Sequence, residues 1–85
     1  MSISEQEIYS FTEKQGQYLA FIHLYIKLNG ISPAHTDFQH YFKVTPPTVN
    51  QMIKTLESKG LIQKKTRVAR SIELLIPVQL IPNLT

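Results

Sequence analysis

The stretch from Thr45 to Leu74 constrains the fold most strongly, because the pattern of a helix runs directly into the pattern of two short strands. Thr45 is a favourable helix N-cap, and Pro46 suits the first helical position, where its missing amide proton costs nothing. Gly60 ends the pattern, so a helix is predicted over residues 45–59. Its apolar residues recur at three- and four-residue steps and are expected to face the core. They are Val49, Met52, Ile53 and Leu56.

The residues after Gly60 predict an antiparallel β-hairpin. Leu61 and Ile62 form one short apolar run, and Ile72–Leu74 form the second. The turn between the two strands is expected around residues 66–69.

Two more helices are predicted upstream of this stretch. Thr12 and Gln15 have the spacing of a capping box, and Gly30 tolerates the left-handed conformation that follows a helix end. Together they predict a helix over about residues 12–29. Ser32 can cap a second, shorter helix that starts at the proline after it. Aromatic residues supply the apolar face of that helix: Phe38, Tyr41 and Phe42.

The order of the elements predicts the fold class. Only about three residues separate the second helix from the third, and two strands follow. We therefore expect a mainly α chain with a small β-hairpin (α+β), forming a three-helix winged helix-turn-helix over residues 12–75. Residues 1–11 are interpreted as an N-terminal arm or a short helix. Residues 76–85 are apolar but broken by two prolines, and they are predicted to form an extended tail.

Positive charge is concentrated in one segment of the chain. Residues 43–70 hold seven Lys and Arg against the single acid Glu57, a net charge of +6, whereas residues 1–42 carry a net charge of −2. The predicted helix and hairpin therefore hold all of the excess positive charge. Such a face is typical of proteins that bind a polyanion.

The composition excludes several classes of protein. A chain of 85 residues makes one domain with a small core, which often depends on a partner subunit for stability. It has no cysteine, which excludes a disulfide scaffold and a thiolate metal site. The N-terminus has no signal-peptide pattern, and no apolar run is long enough to span a membrane. We therefore expect a cytoplasmic location.

Three patterns follow one another along residues 11–75: FTEKQxxYLxFI, then ISPxxxDFxxYFKV, then TxxTVNxxIxTLExKGLIxKxxxxARSIEL. Their order and spacing resemble the DNA-binding domain of LexA-type repressors. The resemblance implies a winged helix-turn-helix fold and binding to double-stranded DNA. The segment around Gly60 is the less specific part, because many winged-helix regulators share it.

The chain departs from that family's pattern in two places. Ala34 stands where family members usually place Ser or Thr as the cap of the second helix, although Asp37 keeps the acidic partner three residues on. The sequence also ends at Thr85, so we expect it to act without the C-terminal self-cleaving domain of LexA-type repressors and its Ser–Lys dyad. Without that domain, the resemblance implies neither autoproteolysis nor the dimerisation that the domain normally supplies.

The outward face of the third helix is expected to read DNA bases. In a helix-turn-helix the second helix of the motif enters the major groove. Asn and Gln side chains can pair with adenine through two hydrogen bonds, and Lys can donate to guanine. An ordinary solvated helix face would also be polar, which is the alternative interpretation. The candidate base-reading residues are Pro47, Thr48, Asn50, Gln51 and Lys54.

The hairpin is expected to contact the DNA backbone, and an Arg at its tip can enter a narrow minor groove, where the negative potential is enhanced. The alternative is that these cations only keep a sheet edge soluble. Arg70 also has a structural alternative, an ion pair with Glu57 or Glu73. The candidate backbone and wing residues are Thr45, Ser58, Lys64, Lys65, Arg67 and Arg70.

Neither a metal site nor an enzyme is expected. His35 and His40 are five residues apart, which does not put them on one helical face, and His23 lies on another helix. His35 and His40 are better explained as polar surface of the second helix, near the DNA backbone. The chain has no Gly-rich phosphate loop and no nucleophile beside a base, and no cofactor is predicted.

These observations predict sequence-specific binding of double-stranded DNA by a nucleoid-associated transcriptional regulator, more specifically a repressor. The helix 45–59 would lie in the major groove, and the wing 64–70 on the backbone or in the minor groove. The alternative is a winged helix that serves as a protein-interaction module, or as a replication or phage-encoded accessory protein.

A module this small makes few DNA contacts, which favours binding of a palindrome by a homodimer. The same apolar residues that offer a dimer surface would otherwise complete the core. The candidate dimer surface comprises Leu24, Leu28, Val78, Leu80, Ile81 and Leu84.

Overall fold

A computed structural model describes residues 9–85 of the chain. Three helices are followed by a two-stranded antiparallel sheet and a short 3-10 helix, which confirms the predicted α+β winged helix-turn-helix. Most of the expected N-terminal arm or short helix, residues 1–8, lies outside the described residues. The elements are α1 (Glu13–Asn29), α2 (His35–Phe42), α3 (Pro46–Ser58), β1 (Ile62–Gln63), β2 (Glu73–Leu74) and the 3-10 helix Val78–Leu80.

Helix α1 has the two ends that its sequence predicts. The Gln15 amide donates to the Thr12 hydroxyl at 3.2 Å, and the Thr12 amide donates to Gln15 Oε1 at 2.9 Å, which completes a capping box. At the other end Gly30 has φ 73°, and its amide donates to the Ile26 carbonyl. Neither α1 nor any other helix within residues 9–85 combines the length and the apolar character that crossing a membrane requires.

Stacked aromatic rings join α1 to α2. The Tyr18 ring lies 4.2 Å from the Phe42 ring and 5.5 Å from the Phe38 ring, in nearly parallel planes. Phe21 packs against the same two rings at an angle. Aromatic pairs of this kind contribute about 1 kcal/mol each beyond the area they bury, so they hold the two helices in one relative position.

Three apolar side chains hold α3 in the core. Val49, Ile53 and Leu56 are each 1% exposed or less, as their spacing predicts. They lie on one side of the helix, so burying them fixes its rotation about its own axis. The opposite side of α3 is therefore the side that solvent or a ligand meets.

The end of α3 turns the chain directly into the sheet. Gly60 has φ 73°, its amide donates to the Glu57 carbonyl, and the Leu61 amide donates to the Leu56 carbonyl, both at 3.0 Å. This pair of bonds defines a Schellman motif. Leu56 and Leu61 are both fully buried, which supplies the apolar contact that usually accompanies the motif.

The start of α2 differs from the prediction. The helix begins at His35, with Ala34 at the N-cap, and the Ala34 amide donates to Asp37 Oδ2 at 2.7 Å. The prediction of Ser32 as the cap is wrong, because its hydroxyl is buried and accepts from the Ile72 amide at 3.1 Å. Ser32 thus connects the turn before α2 to the base of the wing.

The strands are shorter than predicted. Ile62 pairs with Leu74 and Gln63 pairs with Glu73, so each strand has only two residues. Ile72, predicted to lie within the second strand, precedes it and is buried in the core. Residues 64–72 between the strands form an irregular wing rather than a regular hairpin.

The tail is not extended as predicted. After Pro77 it makes one 3-10 turn, and Gln17 on α1 then binds it at two points. The Gln17 side chain donates to the Asn83 carbonyl at 2.9 Å and accepts from the Thr85 amide at 2.8 Å. The tail folds back because its half-buried apolar residues pack onto the core: Leu80, Ile81 and Leu84.

The candidate dimer surface is therefore divided. Leu24 is half-buried and lines a groove between α1 and the tail, whereas Leu28 is 80% exposed and Val78 is 52% exposed. The residues that complete the core are not fully available to a second subunit. Leu28 and Val78 are the apolar members that stay exposed.

Replacing Gly60 with Ala should lower the free energy of unfolding by about 1 kcal/mol, because an L-residue is strained at this positive φ. The added Cβ would meet no atom within 4 Å, so the loss is conformational rather than steric. Gly60→Asn should lose about half as much, since Asn tolerates the left-handed region better. Urea unfolding of the three proteins measures this, and equal losses for Ala and Asn would contradict it.

Candidate nucleic-acid interface

The predicted reading residues lie together on the exposed side of α3. Burial of the opposite side leaves polar side chains in solvent along the whole length of the helix. Lys54 is the cation in this set, and no acidic residue belongs to it. The exposed residues of this reading face are Thr45, Pro47, Thr48, Asn50, Gln51, Lys54 and Ser58.

The first turn of α3 offers fewer amides than a usual helix start. Thr45 is the N-cap residue, but its hydroxyl lies 2.9 Å from the Thr48 hydroxyl and makes no cap bond to the backbone. Pro46 and Pro47 have no amide proton. Of the first-turn amides, that of Thr48 has no acceptor within residues 9–85. A phosphate oxygen at this helix end would therefore meet one amide and two hydroxyls.

One side chain from α2 reaches the reading face. His35 Nδ1 lies 2.9 Å from Asn50 Oδ1, which joins the first residue of α2 to the exposed side of α3. The sequence predicts His35 as polar surface of the second helix near the DNA backbone, and it does not predict the contact with Asn50. No local pattern could have revealed it, because 15 residues separate the two positions and the contact depends on how α2 and α3 cross.

The wing carries three cations, and one of them, Lys64, lines a groove with His35, which contacts Asn50 of the reading face. Lys64 is half-buried, while Lys65 and Arg67 are exposed. None of the three lies within ion-pair distance of a carboxylate in the described part of the chain. Their charge is therefore available to a polyanion.

The tip of the wing is a tight turn with Arg67 in an unfavourable backbone conformation. The Val68 amide donates to the Lys65 carbonyl at 3.2 Å, and Arg67 at the third position of this turn has φ 62°. Gly or Asn is the usual residue where a turn requires positive φ. The Arg67 side chain makes no hydrogen bond or ion pair within residues 9–85 that would offset the strain. The contacts of the described residues therefore do not explain why an Arg occupies this position.

Arg70 differs from the other wing cations because it binds within the protein. Its Nη1 donates to the Tyr25 hydroxyl at 3.0 Å, to Asp37 Oδ2 at 3.1 Å and to the Ser32 carbonyl at 3.3 Å. The hydrogen bond with Tyr25 is the main cause that raises the pKa of Arg70, with Asp37 adding to it. The prediction that Glu57 or Glu73 forms an ion pair with Arg70 is wrong, because Arg70 pairs with Asp37.

Hydroxyl groups fix the backbone of the wing at its base. The Ser71 hydroxyl donates to the Val68 carbonyl at 2.8 Å and accepts from the Lys65 amide at 3.0 Å. Ser32 holds the Ile72 amide from the other side. The wing therefore has a defined position beside α2, although its strands are only two residues long.

Among residues 9–85, no three His, Asp or Glu side chains lie close enough together to hold a metal ion. His23 lies on α1, and His35 and His40 lie on α2. His35 points to Asn50 instead.

Three helices, a short loop before the third and a wing after it define the class of winged helix-turn-helix proteins. The family model of the LexA DNA binding domain matches residues 9–71, and the chain belongs to this family. The comparisons lend no support to the alternative of a protein-interaction or accessory module.

Several relatives carry the name LexA repressor. That of Thermosipho melanesiensis is 41% identical over 75 residues, which cover 80% of this chain and 38% of the relative. That of Thermosipho africanus is 40% identical over 63 residues, covering 74% and 32%. That of Thermotoga petrophila is 34% identical over 73 residues, covering 79% and 37%. The chain thus spans 32–38% of the length of these relatives.

Replacing Asp37 with Asn should loosen the wing. The Asn oxygen can still accept from the Ala34 amide, but the ion pair with Arg70 is lost. Hydrogen exchange at the Lys65 and Ile72 amides should become a fewfold faster, because Arg70 holds this region against α1 and α2.

Glu73→Gln is the matched control, since the Glu73 carboxylate accepts from the Gln63 side chain on the exposed side of the sheet. Exchange in the wing should be unchanged in this variant. Equal acceleration in both variants would show that loss of any nearby acid, rather than the Arg70 contact, loosens the wing.

Proposed function

We propose that the chain binds double-stranded DNA in a sequence-specific manner and represses transcription by occupying its site. The observation that carries the proposal is a polar reading face on α3 that holds no acidic residue, together with three wing cations that have no carboxylate partner among residues 9–85. Membership in the LexA DNA binding domain family and the name shared by its relatives support the same function. The proposal includes no catalytic step.

In this proposal α3 lies in the major groove and reads base edges. Asn50 and Gln51 can each accept from and donate to adenine, and Lys54 can donate to guanine. Pro47 and the methyl group of Thr48 present apolar surface to a thymine methyl group. Because these groups lie over two successive turns, they meet adjacent base pairs rather than one.

The wing supplies affinity in this proposal. Lys64, Lys65 and Arg67 neutralise phosphate charge, and Arg67 at the tip is positioned to enter the minor groove. The strained backbone of Arg67 supports a role outside the fold, because strain without local compensation clusters at functional sites.

Three other residues are predicted to contact the DNA backbone. Thr45 and Ser58 lie at the two ends of the reading face, where phosphates of opposite strands would pass. Arg70 directs its guanidinium to three acceptors of the protein, so we assign it the role of orienting the wing. Its contribution to phosphate binding would be through the charge that its side chain leaves exposed.

We further propose that two copies bind a palindromic site, because one module of this size makes few base contacts. The exposed Leu28 and Val78 are the apolar side chains that such a pairing can use. A protein with this function resides with the chromosome in the cytoplasm. A selected DNA sequence with two-fold symmetry would support the pairing directly.

Replacing Arg67 with Gly should separate DNA affinity from stability. The free energy of unfolding should stay at the wild-type value or rise by up to about 1 kcal/mol, because Gly relieves the positive φ. The log–log slope of affinity against salt, about −3 to −6 for the wild type, should become shallower by about 0.9. Fluorescence anisotropy with a short duplex at several salt concentrations measures the slope.

Lys27→Ala is the control for this experiment, because Lys27 is an exposed cation on α1 beside the tail. It removes the same charge without touching the wing, so its slope should match the wild type. If Arg67→Gly and Lys27→Ala change the slope equally, Arg67 responds only as part of the net charge. If the wild type fails to bind duplex DNA even at low salt, the proposed function is wrong.

Replacing Gln51 with Ala should relax base preference more than it weakens non-specific binding. Selection of bound duplexes from a random pool, by the wild type and by Gln51→Ala, gives the preference at every position. One position should lose discrimination by about tenfold, since a good bidentate contact contributes about 1–3 kcal/mol. Uniform weakening on all sequences would show that Gln51 does not read a base. Lys27→Ala again serves as the control.

A further inference from the structure

We propose that His35 is a positioning residue that fixes the orientation of the Asn50 side-chain amide, and thereby sets the base preference at the position that Asn50 contacts. The inference rests on the proposed DNA-binding function. Its basis is the 2.9 Å contact between His35 Nδ1 and Asn50 Oδ1, which joins α2 to the reading face of α3.

The chemistry of the contact defines which atom donates. The oxygen of a carboxamide can only accept a hydrogen bond, so His35 Nδ1 carries the hydrogen in this arrangement. Asn50 Oδ1 then faces α2, and the NH2 group points away from it. The oxygen keeps a second lone pair, and both N–H groups stay free, so the amide can still pair with a base through two hydrogen bonds.

Fixing the amide matters because its two ends are opposite in character. Adenine presents an N–H donor and a ring nitrogen acceptor side by side in the major groove, and an amide pairs with both only in one orientation. An exposed Asn on a helix is free to turn its amide by 180° and to offer either pattern. His35 removes that freedom before DNA arrives, which pre-organises the contact.

The position of His35 suits this role better than a surface role. It is the first residue of α2 and is half-buried, and it lines a shallow groove between α2 and the wing. The charged groups that share this groove are Lys64 and Arg70, and Arg70 is held by Asp37. The imidazole thus borders the groove toward the wing, and its Nδ1 atom lies 2.9 Å from Asn50 Oδ1.

The competing interpretation is a direct phosphate contact through His35 Nε2, which would add affinity without base preference. Two substitutions distinguish the nitrogens. The side-chain nitrogen of Asn is separated from Cα by the same number of bonds as Nδ1 of His. The side-chain nitrogen of Gln lies one bond farther from Cα, as Nε2 of His does. His35→Asn should therefore preserve an action through Nδ1, and His35→Gln should preserve an action through Nε2.

The experiment measures affinity for a selected duplex and for all its single-base variants. Asn50→Ala first identifies the base pair that Asn50 discriminates, and Gln51→Ala identifies a different one. His35→Ala should then lower discrimination at the Asn50 base pair by about threefold to tenfold, the effect of one lost hydrogen bond. Discrimination at the Gln51 base pair should stay at the wild-type level, and His35→Asn should restore the loss.

A double-mutant cycle gives a second readout. His35→Ala should have no further effect on discrimination in the Asn50→Ala background, because the group that it positions is absent. Its effect should be fully additive with Gln51→Ala. Thermal unfolding of each variant separates these results from a general loss of folding.

Three outcomes would overturn the inference. Equal weakening on every duplex with rescue by His35→Gln would mean a phosphate contact. Loss of discrimination at both base pairs would mean a general disturbance of α3, and unchanged discrimination in His35→Ala would mean that the contact has no effect on reading. All three outcomes can be observed only if the wild-type protein prefers certain bases. Failure of the proposed function is therefore distinguishable, because the wild-type protein would then select no DNA sequence at all.

Discussion

Val49, Ile53 and Leu56 hold α3 in a single rotation, and the geometry of the candidate interface depends on it. All three side chains are almost fully buried on one side of the helix. Turning the helix by one residue, about 100°, would expose apolar surface that contributes on the order of 2 kcal/mol per side chain. The polar side is therefore presented as a fixed set of groups. The Schellman motif at Gly60 transmits the same constraint to the wing, because β1 starts two residues later.

The wing is positioned by side chains rather than by its sheet. Two residue pairs cannot define the direction of a nine-residue loop by themselves. Arg70 joins the wing to α1 through Tyr25 and to α2 through Asp37, and Ser32 binds the backbone at Ile72. The backbone of the wing is thereby tied to α1, to α2 and to the turn between them.

Arg67 and Arg70 share an unfavourable backbone conformation for different reasons. Both have positive φ, which an L-residue adopts at a cost of about 1 kcal/mol. The three acceptors around Arg70 offset this cost inside the protein. Arg67 has no comparable compensation among the described residues, which is one of the reasons for proposing that its side chain contacts DNA. Charge counting alone would have treated the two residues as equivalent.

Local sequence determined the ends of α1 and α3 and the face that α3 exposes. The capping box at Thr12, the proline start at Pro46 and the glycine ends depend on neighbouring backbone atoms, so their effect can be predicted from short patterns. The same holds for the reading face, because helical periodicity separates buried from exposed residues.

Only the tertiary structure decided which polar groups meet when they are far apart in the sequence. Ser32 has the features of a cap, yet the chain brings Ile72 to its hydroxyl. Arg70 pairs with Asp37, which is 33 residues away, rather than with the nearer acids, and His35 reaches Asn50 across the helix crossing. A hydrogen bond is short and directional, so its partner depends on the three-dimensional arrangement of helices that are themselves held by apolar packing. The distance between residues on different helices cannot be inferred from their spacing in the sequence, whereas the periodicity of a helix can.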